Sequence, residues 1–269
     1  MAVAARTIDQ TCVVCGTALE RVRYFPRQLI TADDMRVEQD FILNKMRRHN
    51  RFLHGWGVVC GCQVVPLPTD ATPWQVQVCP GYVIAPQGDD ILIPDCIPFD
   101  LQRGMQSDNL CTVTWPCPPQ PVFAPDNQQT TAYLAVRYVE CVTRPVRVHP
   151  SGCGCDELDC EYSRIRESFE LKLLWSLPAS HTVAKQADVA WTDAAKQGFK
   201  AAPDLGYPAP PCLPCTDDPW VVLATIRIPT AQGNATVSKQ PITGGEISFL
   251  DRRVLYSTTA LQVLLEAGI

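Results

Sequence analysis

Residues 24–65, YFPRQLITADDMRVEQDFILNKMRRHNRFLHGWGVVCGCQVV, decide the fold: they hold one long helix and its junction with a strand-rich body. Thr31 is a natural N-cap, and Asp33 and Asp34 follow in the first turn, where the helix dipole favours anions. Arg47, Arg48, His49 and Arg51 crowd the far end, where cations are favoured, and Gly55 offers a left-handed stop. At ~1.5 Å per residue, Thr31 to Leu53 spans about 30 Å, the dimension of a strut. Met35, Ile42, Met46 and Leu53 share one stripe, with Gln39 and His49 beside it. Val37, Phe41 and Phe52 fall in a second sector roughly 130° away. One stripe docks a helix on its own domain; two require burial on both sides, either deep in one fold or between this chain and another. Val37, Phe41, Phe52 and Trp56 are accordingly the candidate interface residues.

A chain of 269 residues is long enough to bury a sizeable core. Its net charge of −5 leaves no basic footprint for nucleic acid. No run approaches the ~18 apolar residues of a membrane span, so direct membrane insertion is not expected. The first residues, MAVAARTIDQTC, lack the apolar core of a secretory signal, which points to synthesis and folding in the cytoplasm.

Fourteen cysteines sit uneasily with that compartment. Two C-x-x-C pairs, Cys12 with Cys15 and Cys212 with Cys215, could together close a four-thiolate structural zinc site, although they stand far apart in sequence. An alternative set is Cys141 with Cys153, Cys155 and Cys160 of HPSGCGCDELDCEYS. The competing reading is free thiols packed as small hydrophobes. Cys79 and Cys96 could meet across a sheet, a contact that spacing alone does not give.

Beyond Gly55 the pattern turns to strands. WGVVCGCQVV, WQVQVCPGYVIAP and DDILIPD are short β-type segments, with PQGDD as a hairpin turn. TTAYLAVRYVECVTRPV (130–146) is the longest strand candidate, and SFELKLLWSL alternates, with Phe169, Leu171, Leu173 and Trp175 on one side. PWVVLATIRIP (219–229) reads as a buried strand and STTALQVLLEAGI as a closing helix capped at Ser257 or Thr258. The expected fold is α+β: a mostly antiparallel, sandwich-like β body with one long N-terminal helix and a C-terminal helix. Its parts are a cysteine-containing arm (1–23), the helical strut (24–55), the β-rich core (56–177), a long Pro/Ala-rich loop (178–218) with room for a short helix at TDAAKQGFKA, and a closing strand and helix (219–269).

Catalytic signatures are missing: no G-x-S-x-G, no phosphate-binding G-x-x-x-x-G-K-[ST], no H-E-x-x-H and no G-x-G-x-x-G behind a strand. His49 and His54 stand five apart, a poor spacing for ligation from one face of an α-helix. His49 reads as a packed or capping residue near a helix C-terminus.

The blocks YFPRQLITADD, EQDF and HNRFLHGWGVVCGCQV, with VQVCPGYVIAPQGDDILIP, YLAVRYVEC and YSRIRESFEL, resemble a family of bacterial proteins of contractile, phage-tail-like injection systems. The resemblance covers roughly residues 20–175 and the strand PWVVLATIRI; HNRFLHGWGVVCG is its specific part. The chain departs from the family pattern at Arg27, where Gly is usual, and at Cys62, where Leu is usual. The resemblance implies a non-enzymatic structural subunit at the baseplate or another tube end. Its partners would be other subunits and copies of itself, in a particle that is cytoplasmic, membrane-anchored or released. Two rival readings are a metal- or thiol-dependent redox protein and a ligand- or glycan-binding β-module, with Trp74, Trp115 and Trp220 as scattered pocket candidates.

Overall fold

The computed structural model describes residues 18–101, 105–107, 131–148, 159–201, 216–227 and 241–266. Helix α1 (Ala32–His49) begins where expected. The Thr31 hydroxyl accepts from the Asp34 N–H at 3.2 Å, and the Asp34 carboxylate accepts from the Thr31 N–H at 2.8 Å, a reciprocal capping box. The last turn widens into a π-helical segment, Asn50–His54. Gly55 then bends the chain at φ +80°, ψ −154°, a backbone state close to glycine-only territory. Earlier in the chain, Arg27 adopts φ +68°, a left-handed state that is costly for a residue with a Cβ.

Among the described residues the body forms three antiparallel sheets. Strands β1 (Gly57–Gly61), β4 (Gly81–Ile84) and β5 (Asp90–Ile93) form one, in the order β1-β4-β5. Strands β2 (Val64–Pro66), β3 (Gln75–Val78) and β6 (Ile97–Asp100) form the second, in the order β2-β3-β6. The third has five strands, ordered β11-β10-β8-β9-β7: β7 is Met105–Ser107, β8 Thr131–Val148, β9 Asp159–Leu174, β10 Val221–Arg227 and β11 Ile247–Ser248. The alternation read in SFELKLLWSL is realised: Phe169, Leu171 and Leu173 are buried, while Trp175 is only partly so. Every residue of β10 except Arg227 is buried, as a strand covered on both faces requires. One continuous core links the sheets, with Trp74, Phe99, Ile91, Ile93, Leu134 and Leu223 among its fully enclosed side chains. The expected α+β class, with a mostly antiparallel body between terminal helices, is the class observed.

The loop expected over 178–218 is corrected in its first half. Ala179–Ala201 is a helix, α2, far longer than the short segment anticipated within TDAAKQGFKA. The prolines of this stretch stand at its borders, at Pro178 and from Pro203 onward, so the intervening Ala, Lys and Gln residues are free to form a helix. The Asp218 carboxylate accepts from the Ala179 N–H at 2.9 Å and satisfies one of the first-turn donors. Helix α3 (Thr258–Glu266) follows Ser257, whose hydroxyl accepts from the Ala260 N–H at 3.2 Å.

His181 fastens α2 to the body. Its Nε2 accepts from the Val222 N–H at 3.1 Å, and its ring meets Trp56 edge-on at 4.8 Å between centroids. Arg253 also lies over the Trp56 ring, 5.1 Å from its centroid, and donates from Nε to the Trp56 carbonyl at 3.0 Å. Burial, then the adjacent Arg253 charge, pulls the His181 pKa down to about 4 from 6.5. Below pH 6.5 the unfolded chain takes up a proton that the folded chain refuses until about pH 4. This contribution is therefore intact above pH 6.5 and falls by at most about 1.4 kcal/mol per pH unit between those limits. In paired urea titrations of wild type and His181→Gln, the stability difference should shrink as pH falls through that window. A difference independent of pH would contradict the assignment.

Candidate interaction surface

The N-terminal segment and α1 present their apolar side chains outward. No residue of α1 is buried. On the first stripe Met35, Ile42, Met46 and Leu53 are exposed by 53–70%. In the second sector Val37 is 41% and Phe52 44% exposed, with Phe41 half-buried. Tyr24, Phe25, Leu29 and Ile30, just before the helix, are exposed as well. Among the described residues, then, no element of the body buries either sector of the helix.

Trp56 differs from the other three interface candidates. It is 3% exposed and lies between His181 and Arg253 in the core. The bend at Gly55 explains the correction: residues before it continue the helix, and residues after it enter the body. Phe41 and Phe52 carry cations instead, with Lys45 Nζ 5.7 Å and the Arg51 guanidinium 5.9 Å from the respective ring centroids.

The helix is held at its C-terminal end. Arg47 Nε donates to Asp89 at 2.5 Å, and Asn50 Nδ2 donates to the Gly88 carbonyl at 2.9 Å. Both acceptors belong to the turn between β4 and β5, the PQGDD hairpin of the sequence. There the Ala85 N–H donates to the Asp89 carbonyl at 2.8 Å and the Gly88 N–H to the Ala85 carbonyl at 2.9 Å. Gly88 sits at φ +98°, and a Cβ on it would stand 2.2 Å from the Arg47 carbonyl oxygen. The close approach of helix end and turn depends on this glycine.

Acidic groups gather around this joint. Glu140 and Glu167 oppose each other across β8 and β9. Burial raises the Asp89 pKa, and Arg47 only partly counters it. Burial likewise raises that of Glu167, with Asp90, Glu140 and Asp89 adding repulsion. Tyr138, whose hydroxyl donates to Glu140 at 3.1 Å, is pushed well above the usual phenol range, first by burial and then by Glu140 and Glu167. Because their folded pKa values are raised, Asp89 and Glu167 contribute stability at low pH that is lost as pH rises through those values.

The π turn moves His49 and His54, expected on different faces, to 5.4 Å between ring centroids in an edge-on contact. A five-residue spacing matches the i→i+5 repeat of a π-helix, a signal invisible to α-helical arithmetic.

The alternative metal set is corrected too. Register pairs Cys141 with Arg166 and Cys160 with Arg147, six positions further out, so the two thiols stand about 20 Å apart along the ribbon. Zinc–sulfur bonds of about 2.3 Å cannot bridge that distance. Cys141 is moreover disulfide-bonded, whereas Cys160 is a free, exposed thiol. Cys12, Cys15, Cys153, Cys155, Cys212 and Cys215 lie outside the described residues, as does Trp115. Among the described residues no group of three or more His, Cys, Asp or Glu side chains could hold a metal. Of the two described candidates, Trp74 is enclosed in the core, and Trp220 lies beneath Arg137 and Lys172, at 5.0 and 5.8 Å.

Among the described residues no helix is long and apolar enough to cross a membrane. No family model matches the chain, and no curated protein matches it. The surface must be read on its own geometry.

Gly88→Ala tests the joint. Forcing an L side chain into this backbone state costs about 1–3 kcal/mol before any clash. Urea denaturation should show a loss of at least that size, with faster amide exchange over Arg47–Arg51. Gly244→Ala, where a Cβ meets nothing within 4 Å, is the control and should be nearly silent. Equal effects for the two variants would remove Gly88 from this role.

Proposed function

We propose that this chain is a non-enzymatic structural subunit of a contractile, phage-tail-like particle, seated at the baseplate or another tube end. The observation that carries the reading is the helical arm, tethered at one end and apolar over both exposed sectors. Contiguous exposed apolar surface marks a protein interaction site. Aromatic and long aliphatic side chains in such a patch supply most of the affinity once a partner excludes water. The sequence resemblance points the same way. The partners are neighbouring subunits, copies of this chain included, and neither nucleic acid nor lipid is needed.

The test uses Ile42→Glu with Met46→Glu in a tagged full-length chain expressed with its native gene cluster. Both positions are exposed and Glu is a good helix former, so far-ultraviolet circular dichroism should not change. Wild type should sediment with sheathed particles and label one end in electron micrographs, whereas the variant should stay in the supernatant. Undiminished incorporation of the variant would overturn the role of the arm. A wild-type chain that never sediments would overturn the particle.

A structural zinc at Cys12, Cys15, Cys212 and Cys215 belongs to the same proposal, since four thiolates suit a closed tetrahedral site. Metal analysis of protein purified without chelator should return one zinc per chain, lost in Cys212→Ser. A metal-free wild type would dismiss it.

A further inference from the structure

Two free thiols stand at the base of the hairpin that carries the joint. Strands β3 and β6 pair antiparallel, with Val78 opposite Ile97 as the last registered pair. One step further along the same register, Cys79 faces Cys96. Opposed residues of an antiparallel pair lie about 4.5–5.5 Å apart at Cα, inside the roughly 4.4–6.8 Å that a disulfide spans. Neither thiol is bonded; Cys96 is exposed and Cys79 half-buried. Burial first, and then the neighbouring Cys96 thiol, pushes the Cys79 thiol up.

The neighbouring thiols are poorer candidates. Cys62 is fully buried and its pKa is pushed up to about 11, chiefly by burial, so it offers little thiolate. Cys60 is exposed, but its register partner is Tyr82 on β4.

We propose that Cys79 and Cys96 are an oxidation site, joined by a small disulfide oxidant of the glutathione class into a bond that closes the loop of residues 79–96. Cys96, the more accessible thiol, loses a proton, and its thiolate attacks one sulfur of the oxidant. The oxidant's S–S bond breaks, a first thiolate leaves, and a mixed disulfide remains on Cys96. Cys79, deprotonated in turn, attacks Cys96 Sγ and expels the second thiolate. The two released thiolates take up the two protons, so the oxidant ends as two thiols and the chain has lost two electrons to it. The closed loop contains β4, β5, Gly88 and Asp89, the whole seat of α1. In a reducing compartment the pair stays open, and on transfer to an oxidising one it closes.

The experiment treats the full-length protein with oxidised glutathione, alkylates the remaining thiols under native conditions and maps the products by mass spectrometry. The expected result is a Cys79–Cys96 linked peptide, with Cys62 neither linked nor alkylated until the chain is unfolded. The urea midpoint of the oxidised wild type should exceed that of identically treated Cys96→Ser by about 1 M, the shift expected for closing a loop of this length. A bond from Cys79 to any other cysteine, a stable glutathione adduct on Cys96 of wild type, or coincident midpoints would each overturn the proposal.

Discussion

The arrangement of this chain depends on the meeting of one helix end with one hairpin turn. Arg47 and Asn50 reach the turn, Asp89 and the Gly88 carbonyl receive them, and Gly88 lets the backbones touch. An ion pair in so enclosed a place is a compromise. Burial destabilises the ionised Asp89, and the guanidinium returns only part of that loss. What the pair supplies is direction. That direction matters for α1, none of whose residues is fully buried.

A second junction holds the body together around Trp56. The indole packs between the His181 ring from α2 and the Arg253 guanidinium from the C-terminal segment. That segment is stitched to β1 by the Val58 N–H to the Arg253 carbonyl at 2.8 Å and the Leu255 N–H to the Val58 carbonyl at 2.9 Å. Elements far apart in sequence thus converge on the residue that follows the bend at Gly55. An unprotonated His181 is part of that convergence, since burial disfavours a charge there and the Arg253 charge adds to the penalty.

Much of this was legible in the residues because it is local. The Thr31 cap, the Asp33 and Asp34 first turn, the PQGDD hairpin and the alternation from Phe169 to Leu173 follow from neighbours a few positions apart. What escaped was set by longer range. Helix α2 is masked by the prolines that flank it, although none falls between Pro178 and Pro203. Trp56 continues the aromatic pattern of the strut, and only the turn at Gly55 sends it inward. The meeting of His49 with His54 required a widened helical turn, and the facing of Cys79 and Cys96 required the β3–β6 register. The two-sided helix itself was readable; that both sides stay open in the single chain was not, because periodicity reports a need for burial without saying what meets it.

The β8–β9 ribbon has a consequence of its own. Among the described residues β10 pairs with β8 only over Thr131–Val136, and β7 with β9 only over Glu170–Lys172. Over the remaining length, out to Val148 and Asp159, β8 and β9 pair with each other alone among the described residues, and an unpaired strand edge is the kind of backbone that recruits strands from other molecules. Pro145 lacks a donor on one edge, and Arg144, Arg164, Arg166, Glu140, Glu161 and Glu167 line the same stretch with charge. Proline and charge along a strand edge are devices that oppose open-ended sheet growth. A long two-stranded ribbon built this way resists pairing with its own copies at high concentration.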